Sequence, residues 1–414
     1  MSNSTLGFAA SRLAPVKPSA SAWVSQAAKA ARAAGEDVID LGLGEPDFDT
    51  PGHIKEAAYE AALAGETKYP PTDGTARMKA AVQAKFKHEN HLSFSADQII
   101  VSNGAKQIIF NAMMATLEPG DEVILPAPYF GQYKDIVLIM GGTPVAVACP
   151  AVDRFRLTAD RLAAAITDKT RWLFLNLPSN PAGAVYSEDD LHAIGSVLSK
   201  HSRVLTLSDE IYEHILFDGR KFHSFAAVCP YLADRVLTVN GVSKAYAMTG
   251  WRIGYAGGHR ELIAAMTKVQ SQVSSGACSI AQAAAAAALE GPQDEVKRRC
   301  AAFESRRDLV VRKVAKIPGL SLDPPGGAFY AFIGCADLIG SQAPDGKIIE
   351  SDTDFAAYLL TAAGIACVPG SAYELSPFFR LSTAASEEVL ADAMARIGDA
   401  VAALGSPDLT EKSS

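Results

Sequence analysis

The segment 236–257 places a lysine where an ordinary solvated lysine is not expected. Its first part is apolar and β-branched, which is typical of a strand buried on both faces, and a second strand-like run begins at Trp251. Lys244 lies in the small-residue turn between the two runs. Most lysines are exposed because a desolvated ammonium is costly, whereas an amine held in a dry site can form a Schiff base. Lys244 is therefore either a surface-loop lysine or a nucleophilic amine.

A carboxylate and a phenol follow another apolar run, residues 204–208. Asp209 ends this run, and Tyr212 comes shortly after it. A carboxylate at this position could pair with a cationic ring nitrogen, and the phenol beside it could hold a ring oxygen. Alternatively, Asp209 caps the helix that follows, which is a common role for aspartate.

A third group of residues could bind phosphate. The apolar run 99–101 leads to Gly104 and Ala105 at a predicted helix start, where free backbone N–H groups and the helix dipole attract anions. An ordinary capped helix is the alternative, but Lys106 adds a cation that a cap does not need. Ser243 and Arg252, on either side of Lys244, would also suit a phosphate ester.

A loop held by proline and glycine follows the predicted strand 171–176. It can present Asn180 as a rigid hydrogen-bond donor, although by itself it is only a turn. A Schiff-base lysine, an aspartate for a pyridinium nitrogen and a phosphate cup together describe a site for pyridoxal phosphate.

These groups follow strand-like runs that alternate with helical segments, which predicts an α/β fold with a mostly parallel sheet covered by helices on both faces. In such sheets, ligands collect at the carboxyl ends of the strands. The alanine-rich segment 261–289 predicts one long helix, and 295–316 predicts a charged helix between two domains. Short strands near 328–333, 365–368 and 379–382 predict a smaller α+β domain.

The composition limits the possible partners. A chain of 414 residues predicts two domains, and a net charge of −8 argues against nucleic acid as the main partner. No run has the length and apolarity of a membrane span or a signal peptide, so no membrane partner is expected. The six cysteines are scattered without a CxxC pair, which indicates reduced thiols in a cytoplasmic protein. His88 and His91 lack an evident third ligand, so no metal is expected.

Longer motifs surround the chemical groups along the whole chain. They read GEPDFDTP at 44–51, TKYPP at 67–71, GAKQIIFNA at 104–112, GDEVILPAPYF at 120–130, NLPSNPAGAVY at 176–186, SDEIYEH at 208–214, SKAYAMTGWRIGY at 243–255, GGAFY at 326–330 and FRLS at 379–382. With these motifs the chain resembles the class I pyridoxal-phosphate-dependent aminotransferases of fold type I, in the aspartate aminotransferase branch. The resemblance implies a large domain over 48–290 with a seven-stranded sheet, and a small α+β domain formed by 1–47 and 291–414.

The resemblance also implies roles for the residues around the cofactor. Lys244 would form the Schiff base and carry the proton of the 1,3-shift, and Asp209 would keep the pyridine nitrogen protonated. Asn180 and Tyr212 would contact the ring's phenolic oxygen. Phe130 stands where many relatives have a tryptophan that stacks on the ring.

Further roles follow from the same resemblance. The phosphate would be held by Gly104, Ala105, Ser243 and Arg252. Arg380 would bind the substrate α-carboxylate, assisted by Asn180 and the backbone of Gly44. Tyr69 would reach the phosphate from a second subunit, which implies an obligate homodimer with composite active sites.

The choice of substrate depends on two other positions. In this branch a lysine in the GxKQ motif, here Lys106, is associated with binding a distal carboxylate, and Ser19 lies in the N-terminal segment that closes over the substrate. The resemblance therefore implies a ping-pong exchange between aspartate and 2-oxoglutarate through pyridoxamine phosphate. The alternative for Lys106 is that it only neutralises phosphate. The loop PSNPAG departs from the usual PNNPTG at Ser179 and Ala182, so its contacts can differ.

Other activities remain compatible with the sequence. Prephenate or aromatic amino acids are accepted by related enzymes, and lyases share the fold. A non-catalytic cofactor-binding regulator is disfavoured, because the N-terminus is too short and not basic enough for a DNA-binding module.

Overall fold

The computed structural model describes residues 8–405 of the chain. In chain order its strands are β1 (Ile39–Asp40), β2 (Ile99–Ser102), β3 (Glu122–Ala127), β4 (Thr143–Ala148), β5 (Thr170–Asn176), β6 (Leu205–Asp209), β7 (Val236–Gly241), β8 (Gly254–Gly257), β9 (Tyr330–Gly334), β10 (Ile365–Ala366), β11 (Val368–Pro369) and β12 (Phe378–Ser382). Its α-helices are α1 (Ala20–Ala33), α2 (Gly52–Leu63), α3 (Ala76–Glu89), α4 (Ala105–Thr116), α5 (Gln132–Ile139), α6 (Ala159–Ala165), α7 (Glu188–Ser199), α8 (Phe225–Val228), α9 (Arg260–Val273), α10 (Ser279–Glu290), α11 (Asp294–Val314), α12 (Asp352–Ala363) and α13 (Glu387–Ala402).

Seven strands form the central sheet, in the order β2-β8-β7-β6-β5-β3-β4. The pairs from β4 through β7 are all parallel, and β8 runs antiparallel to both of its neighbours, β7 and β2. Every residue of β2, β7 and β8 is buried, as expected for a sheet covered on both faces. The prediction of a mostly parallel sheet between helices is confirmed.

Hydrophobic cores lie on both faces of the central sheet. One core includes residues of α4, α5 and α9, and the other includes residues of α2, α3, α7 and α10. Helix α10 packs against α2 and α3, and its alanine run 283–288 is buried except at Ala287. Small side chains therefore let these helices approach closely.

The prediction of one long helix over 261–289 is wrong, because α9 and α10 are separate helices. Ser275 (φ 58°) and Gly276 (φ 122°) adopt left-handed backbone conformations between them. Gly276 lies close to the 71–72 backbone, where a Cβ atom would be 3.3 Å from the Pro71 oxygen. The break turns α10 toward α2, and no proline marks it in the sequence.

Two other strand predictions were too long. The run from Trp251 to Tyr255 is a short 3₁₀ turn followed by Arg252 in a left-handed conformation (φ 56°), and β8 begins only at Gly254. The sequence of residues 38–43 also predicts a short strand, but only Ile39 and Asp40 of this segment form one.

The C-terminal part of the chain forms two small sheets. Strands β11, β12 and β9 are antiparallel, while β1 from the N-terminal segment pairs in parallel with β10. Helices α11, α12 and α13 cover them around a further hydrophobic core. The ends of the predicted small domain, residues 1–7 and 406–414, lie outside the described residues. Within 8–405, no helix combines the length and apolarity that crossing a membrane requires.

Candidate active site

A cavity of about 360 Å³ lies where β5 and β6 end, at the carboxyl edge of the parallel strands. We call it the inner cavity. It brings together most of the residues that the sequence singled out, namely Ser19, Gly44, Ala105, Lys106, Phe130, Asn180, Asp209, Tyr212, Ser243, Lys244, Arg252 and Arg380. Gly104 lies beside it, next to Arg252. Tyr69 does not line this cavity and is 92% exposed.

Lys244 projects into the inner cavity from the loop after β7. Its Nζ donates a hydrogen bond to the backbone oxygen of Gly44 at 2.5 Å, and it lies 5.8 Å from the ring centroid of Tyr212 and 5.7 Å from that of Phe329. A side chain at Gly44 would clash, because its Cβ would be 2.0 Å from the hydroxyl of Tyr330. The hydrogen bond and the ring contacts of Lys244 are thus all made to neutral groups.

Asp209 ends β6 as a buried carboxylate at the floor of the inner cavity. The hydroxyl of Tyr133 donates to one carboxylate oxygen, and the backbone N–H of Ile211 approaches the other at 3.4 Å. Burial raises the pKa of Asp209 to about 6, although these donors and the charge of Lys244 oppose the rise. A cation placed beside Asp209 would favour its ionised form, which suits a protonated ring nitrogen.

The start of α4 forms a cradle of backbone at the other end of the inner cavity. Gly104 has a φ of 86°, and a Cβ there would be 2.4 Å from Arg252 Nη2. A Cβ at Gly254 would be 2.2 Å from the nitrogen of Ala105, so β8 packs directly against the helix start. The helix dipole, Arg252 and Ser243 thus converge on one place, which suits a phosphate group.

Arg380 is a buried guanidinium, only 2% exposed, between two aromatic rings. Its Cζ lies 4.5 Å from the ring centroid of Tyr330 and 5.1 Å from that of Tyr373. Among residues 8–405, it donates only to neutral oxygens, those of Asn180, Ser21 and Gly42, and its buried Nε has no partner there. Because a buried charge without a counter-ion is costly, this site suits a substrate carboxylate.

Tyr212 is a buried phenol that lines the inner cavity together with Asp209 and Arg380. Its hydroxyl is 2.8 Å from that of Tyr330. Burial, with Tyr330 as the next cause, raises the pKa of Tyr212 well above its ordinary value, so the phenol keeps its proton and can donate a hydrogen bond.

Lys106 and Ser19 lie at a further part of the inner cavity wall. The Nζ of Lys106 is 5.4 Å from the ring centroid of Phe130, and burial and the positive charges of Arg252 and Lys244 lower the pKa of Lys106. Solvent in the open cavity still reaches this side chain. Ser19 Oγ accepts a hydrogen bond from Gln132 Nε2 at 2.8 Å.

Several residues of the site were missed from the sequence. Tyr330 ends the quoted GGAFY motif but received no role, and Tyr133 and Gln132 lie just after Phe130. Their importance depends on contacts with Arg380, Asp209 and Ser19, which come from distant parts of the chain. No spacing rule in the sequence reveals these contacts.

The inner cavity fits pyridoxal phosphate in each of its parts. It offers an amine at Lys244, a buried carboxylate at Asp209 and a glycine-lined helix start beside Arg252. Within residues 8–405, none of its four cations (Lys106, Lys244, Arg252 and Arg380) forms an ion pair with a carboxylate. The cavity is thus prepared for anionic groups.

Comparison with known proteins agrees with this geometry. Residues 36–397 match the family model "Aminotransferase class I and II". An aspartate aminotransferase of Rhizobium meliloti (strain 1021) is 55% identical over 391 residues, covering 94% of this chain and 95% of that protein. A probable aspartate/prephenate aminotransferase of Rhizobium leguminosarum bv. phaseoli is 52% identical, covering 95% and 98% of the two chains.

Solved structures show the same relationship. The crystal structure of the aspartate aminotransferase from Rhizobium meliloti superposes with a TM-score of 0.94 at 55% identity, covering 96% of this chain and 100% of that chain. The aspartate aminotransferase from Thermus thermophilus with maleate gives a TM-score of 0.87 at 38% identity, covering 95% and 100%. The chain therefore belongs to the class I and II aminotransferases of fold type I, and it is an enzyme that transfers amino groups with pyridoxal phosphate as its cofactor.

Proposed function

We propose that this enzyme exchanges the amino group between L-aspartate and 2-oxoglutarate in a ping-pong cycle. The observation that carries the proposal is the placement of two unpaired cations in one cavity, Arg380 from β12 and Lys106 from α4. Two cations from different elements suit a substrate with two carboxylates. The relatives named aspartate aminotransferase support the same choice.

The roles of the individual residues follow from their positions. Pyridoxal phosphate supplies an aldehyde that takes up the amino group and a ring that withdraws electrons. Lys244 Nζ would take the proton from the substrate Cα, Asp209 would keep the ring nitrogen protonated, and Tyr212 would donate a hydrogen bond to the ring oxygen. Asn180 would contact the same ring oxygen as Tyr212, and Phe130 would pack against the ring.

Anion binding occupies the rest of the proposed site. The phosphate would be held by Gly104, Ala105, Ser243, Arg252 and, as a nearby cation, Lys106. Arg380 binds the α-carboxylate with its planar fork, which Tyr330 and Tyr373 keep in place. Lys106 and Ser19 bind the distal carboxylate.

A spectroscopic half-reaction tests the proposed activity. Addition of L-aspartate to the purified holoenzyme should replace the absorbance of the aldehyde form of the cofactor with that of its amine form. Addition of 2-oxoglutarate should then restore the absorbance of the aldehyde form. Failure of aspartate to produce this change, while another amino acid does produce it, would overturn the substrate assignment.

Replacement of Lys106 by Ala tests the distal carboxylate site. Loss of a charge-assisted contact should raise the KM for aspartate by roughly 10- to 100-fold. L-Alanine has no distal carboxylate and serves as the matched substrate. Equal effects on both substrates would mean that Lys106 only neutralises phosphate.

A second candidate activity is the amination of prephenate or of aromatic oxo acids. Relatives that match nearly the full chain are named aspartate/prephenate aminotransferases, one of them from Cereibacter sphaeroides at 50% identity. The test compares the turnover rates with prephenate and with 2-oxoglutarate as amino acceptor, each with aspartate as amino donor. Comparable rates would indicate a dual-specificity enzyme, and turnover of 2-oxoglutarate alone would indicate a strict aspartate enzyme.

We further propose an obligate homodimer in which Tyr69 completes the partner's phosphate site. The support is that Tyr69 is exposed and lies in the TKYPP motif, outside the inner cavity of its own chain. We also propose that residues 48–290 form the large domain and that 1–47 with 291–414 form the small one, as the pairing of β1 with β10 favours. The scattered cysteines favour a cytoplasmic location.

A further inference from the structure

A second cavity adjoins the inner cavity. This outer cavity has a volume of about 320 Å³ and lies between the N-terminal segment 15–21, residues 129–135 and the turn 371–374. Four residues line both cavities and so form the wall between them: Ser19, Ser21, Phe130 and Gln132.

Gln132 holds this wall together. It is the first residue of α5, and its Nε2 donates a hydrogen bond to Ser19 Oγ at 2.8 Å. Among residues 8–405, this is the one hydrogen bond that its side chain makes. The helix start itself is fixed, because a Cβ at Gly131 would be 2.9 Å from the backbone oxygen of Ala372. The movable part of the wall is therefore the side-chain pair Gln132–Ser19.

Most of the inner cavity wall already has a proposed role in binding the cofactor or the substrate α-carboxylate. The helix start at Gly104 and the carboxylate of Asp209 define the cofactor's position, and Arg380 defines that of the α-carboxylate. The substrate side chain is left with the part of the wall that includes Lys106 and Gln132. A side chain bulkier than those of aspartate and glutamate would reach the Gln132–Ser19 pair and the outer cavity behind it.

We infer that Gln132 is a specificity-determining residue, which limits the length of the substrate side chain by closing the inner cavity against the outer one. The inference rests on the proposed transamination in this cavity. A neutral hydrogen bond contributes on the order of 1 kcal/mol, so its loss should relax discrimination by roughly fivefold. The Gln132–Ser19 pair thus disfavours long side chains without excluding them, because breaking one neutral hydrogen bond costs little.

Two variants test this inference, Gln132→Ala and Ser19→Ala. The readout is the ratio of kcat/KM for L-phenylalanine to kcat/KM for L-alanine. Neither amino acid has a distal carboxylate, so a contribution of Ser19 or Lys106 to carboxylate binding does not enter the ratio. Gln132→Ala should raise the ratio about fivefold, mainly through a lower KM for phenylalanine. Ser19→Ala, which keeps the glutamine but removes its acceptor, should raise it less.

The double variant and a control complete the experiment. If the two residues act as one pair, the double variant should not exceed Gln132→Ala alone. Gln26→Ala, at an exposed position of α1, should leave the ratio at the wild-type value. Cofactor absorbance and the thermal midpoint verify that each variant is loaded and folded.

Two results would overturn the inference. One is a ratio within twofold of wild type in Gln132→Ala, including the case in which neither enzyme turns over phenylalanine. The other is a wild-type ratio in Ser19→Ala, since the wall would then not depend on the hydrogen bond. The aspartate half-reaction of the wild-type enzyme tests the proposed function separately, so the two failures can be told apart.

Discussion

At the scale of single residues, Asp209 shows how burial and one phenol set the charge of the site. Its carboxylate is buried beside Tyr133, and its pKa is raised to about 6. A carboxyl group with a raised pKa binds its proton more tightly in the folded chain than in the unfolded one. Its contribution to stability is therefore full below the unfolded pKa and is lost as the pH rises through about 6.

This sign gives a prediction for the cofactor-free enzyme. The unfolding free energy of Asp209→Asn, relative to that of wild type, should rise by about 1 kcal/mol from pH 5 to pH 8. The reason is that asparagine carries no charge to desolvate. Urea unfolding at several pH values measures the difference. Asp189→Asn, at an exposed carboxylate of α7, is the control. A difference that shrinks with rising pH would contradict the account.

A second residue-scale prediction concerns Lys106. Burial and the charges of Arg252 and Lys244 lower its pKa, so the ammonium loses its proton at a lower pH than an ordinary lysine does. The KM for aspartate should therefore rise at alkaline pH more steeply than the KM for alanine. Lys106→Arg should flatten this rise, since a guanidinium stays charged. Parallel pH profiles for both substrates in the wild-type enzyme would argue against a distal contact.

The sequence was informative about residues in contiguous motifs. Lys244, Asp209 and Arg380 lie in such motifs, and the structure brings them to one cavity as expected. Tyr133 and Gln132 could not be recognised, because their partners Asp209 and Ser19 are far away in the chain. A hydrogen bond between distant segments leaves no periodic signal in the sequence.

At the scale of secondary-structure elements, the contact between β8 and the start of α4 fixes the helix start that we propose as the phosphate site. The two elements meet at backbone distance, with Gly254 against Ala105. The alternation of strands and helices was predictable from apolar runs. The break between α9 and α10 was not, because Ser275 and Gly276 depart from the helix in order to fit the backbone at 71–72.

Gly254→Ala tests the importance of this contact. A methyl group 2.2 Å from the nitrogen of Ala105 must push the helix start away, so cofactor affinity should fall by at least tenfold and stability by about 1–3 kcal/mol. Gly250→Ala is the control, since a Cβ there meets no atom within 4 Å. Fluorescence titration with pyridoxal phosphate and thermal unfolding give the two quantities. Equal behaviour of the two variants would show that the helix start tolerates displacement.

At the scale of the whole molecule, the long helix α11 connects parts of the chain that lie far apart in sequence. Arg306 forms a two-pronged ion pair with Asp47 at 2.8 Å, and Phe48 lies under both Arg299 and Arg306. The GEPDFDTP segment, which includes Gly44, is thereby tied to α11. A long charged helix near this position was predictable, but its partners were not.

The proposed composite site gives a prediction for mixed subunits. Lys244→Ala and Tyr69→Ala enzymes should each be strongly impaired. If Tyr69 acts on the partner's site, refolding the two together should recover up to about a quarter of wild-type activity, because half of the dimers are hybrids with one intact site. Absence of recovery, with hybrid formation verified by differently tagged subunits, would place Tyr69 outside the composite site.

The unpaired cations of the inner cavity have a consequence for the approach of substrates. The chain as a whole carries a net charge of −8, yet Lys106, Lys244, Arg252 and Arg380 face one concave region. A cavity with charge opposite to that of the surrounding molecule focuses field lines and draws anions from solution. Dicarboxylates should therefore associate faster than neutral amino acids, and added salt should slow them selectively. The acidic exterior would meanwhile repel nucleic acids and other polyanions too large to enter the cavity.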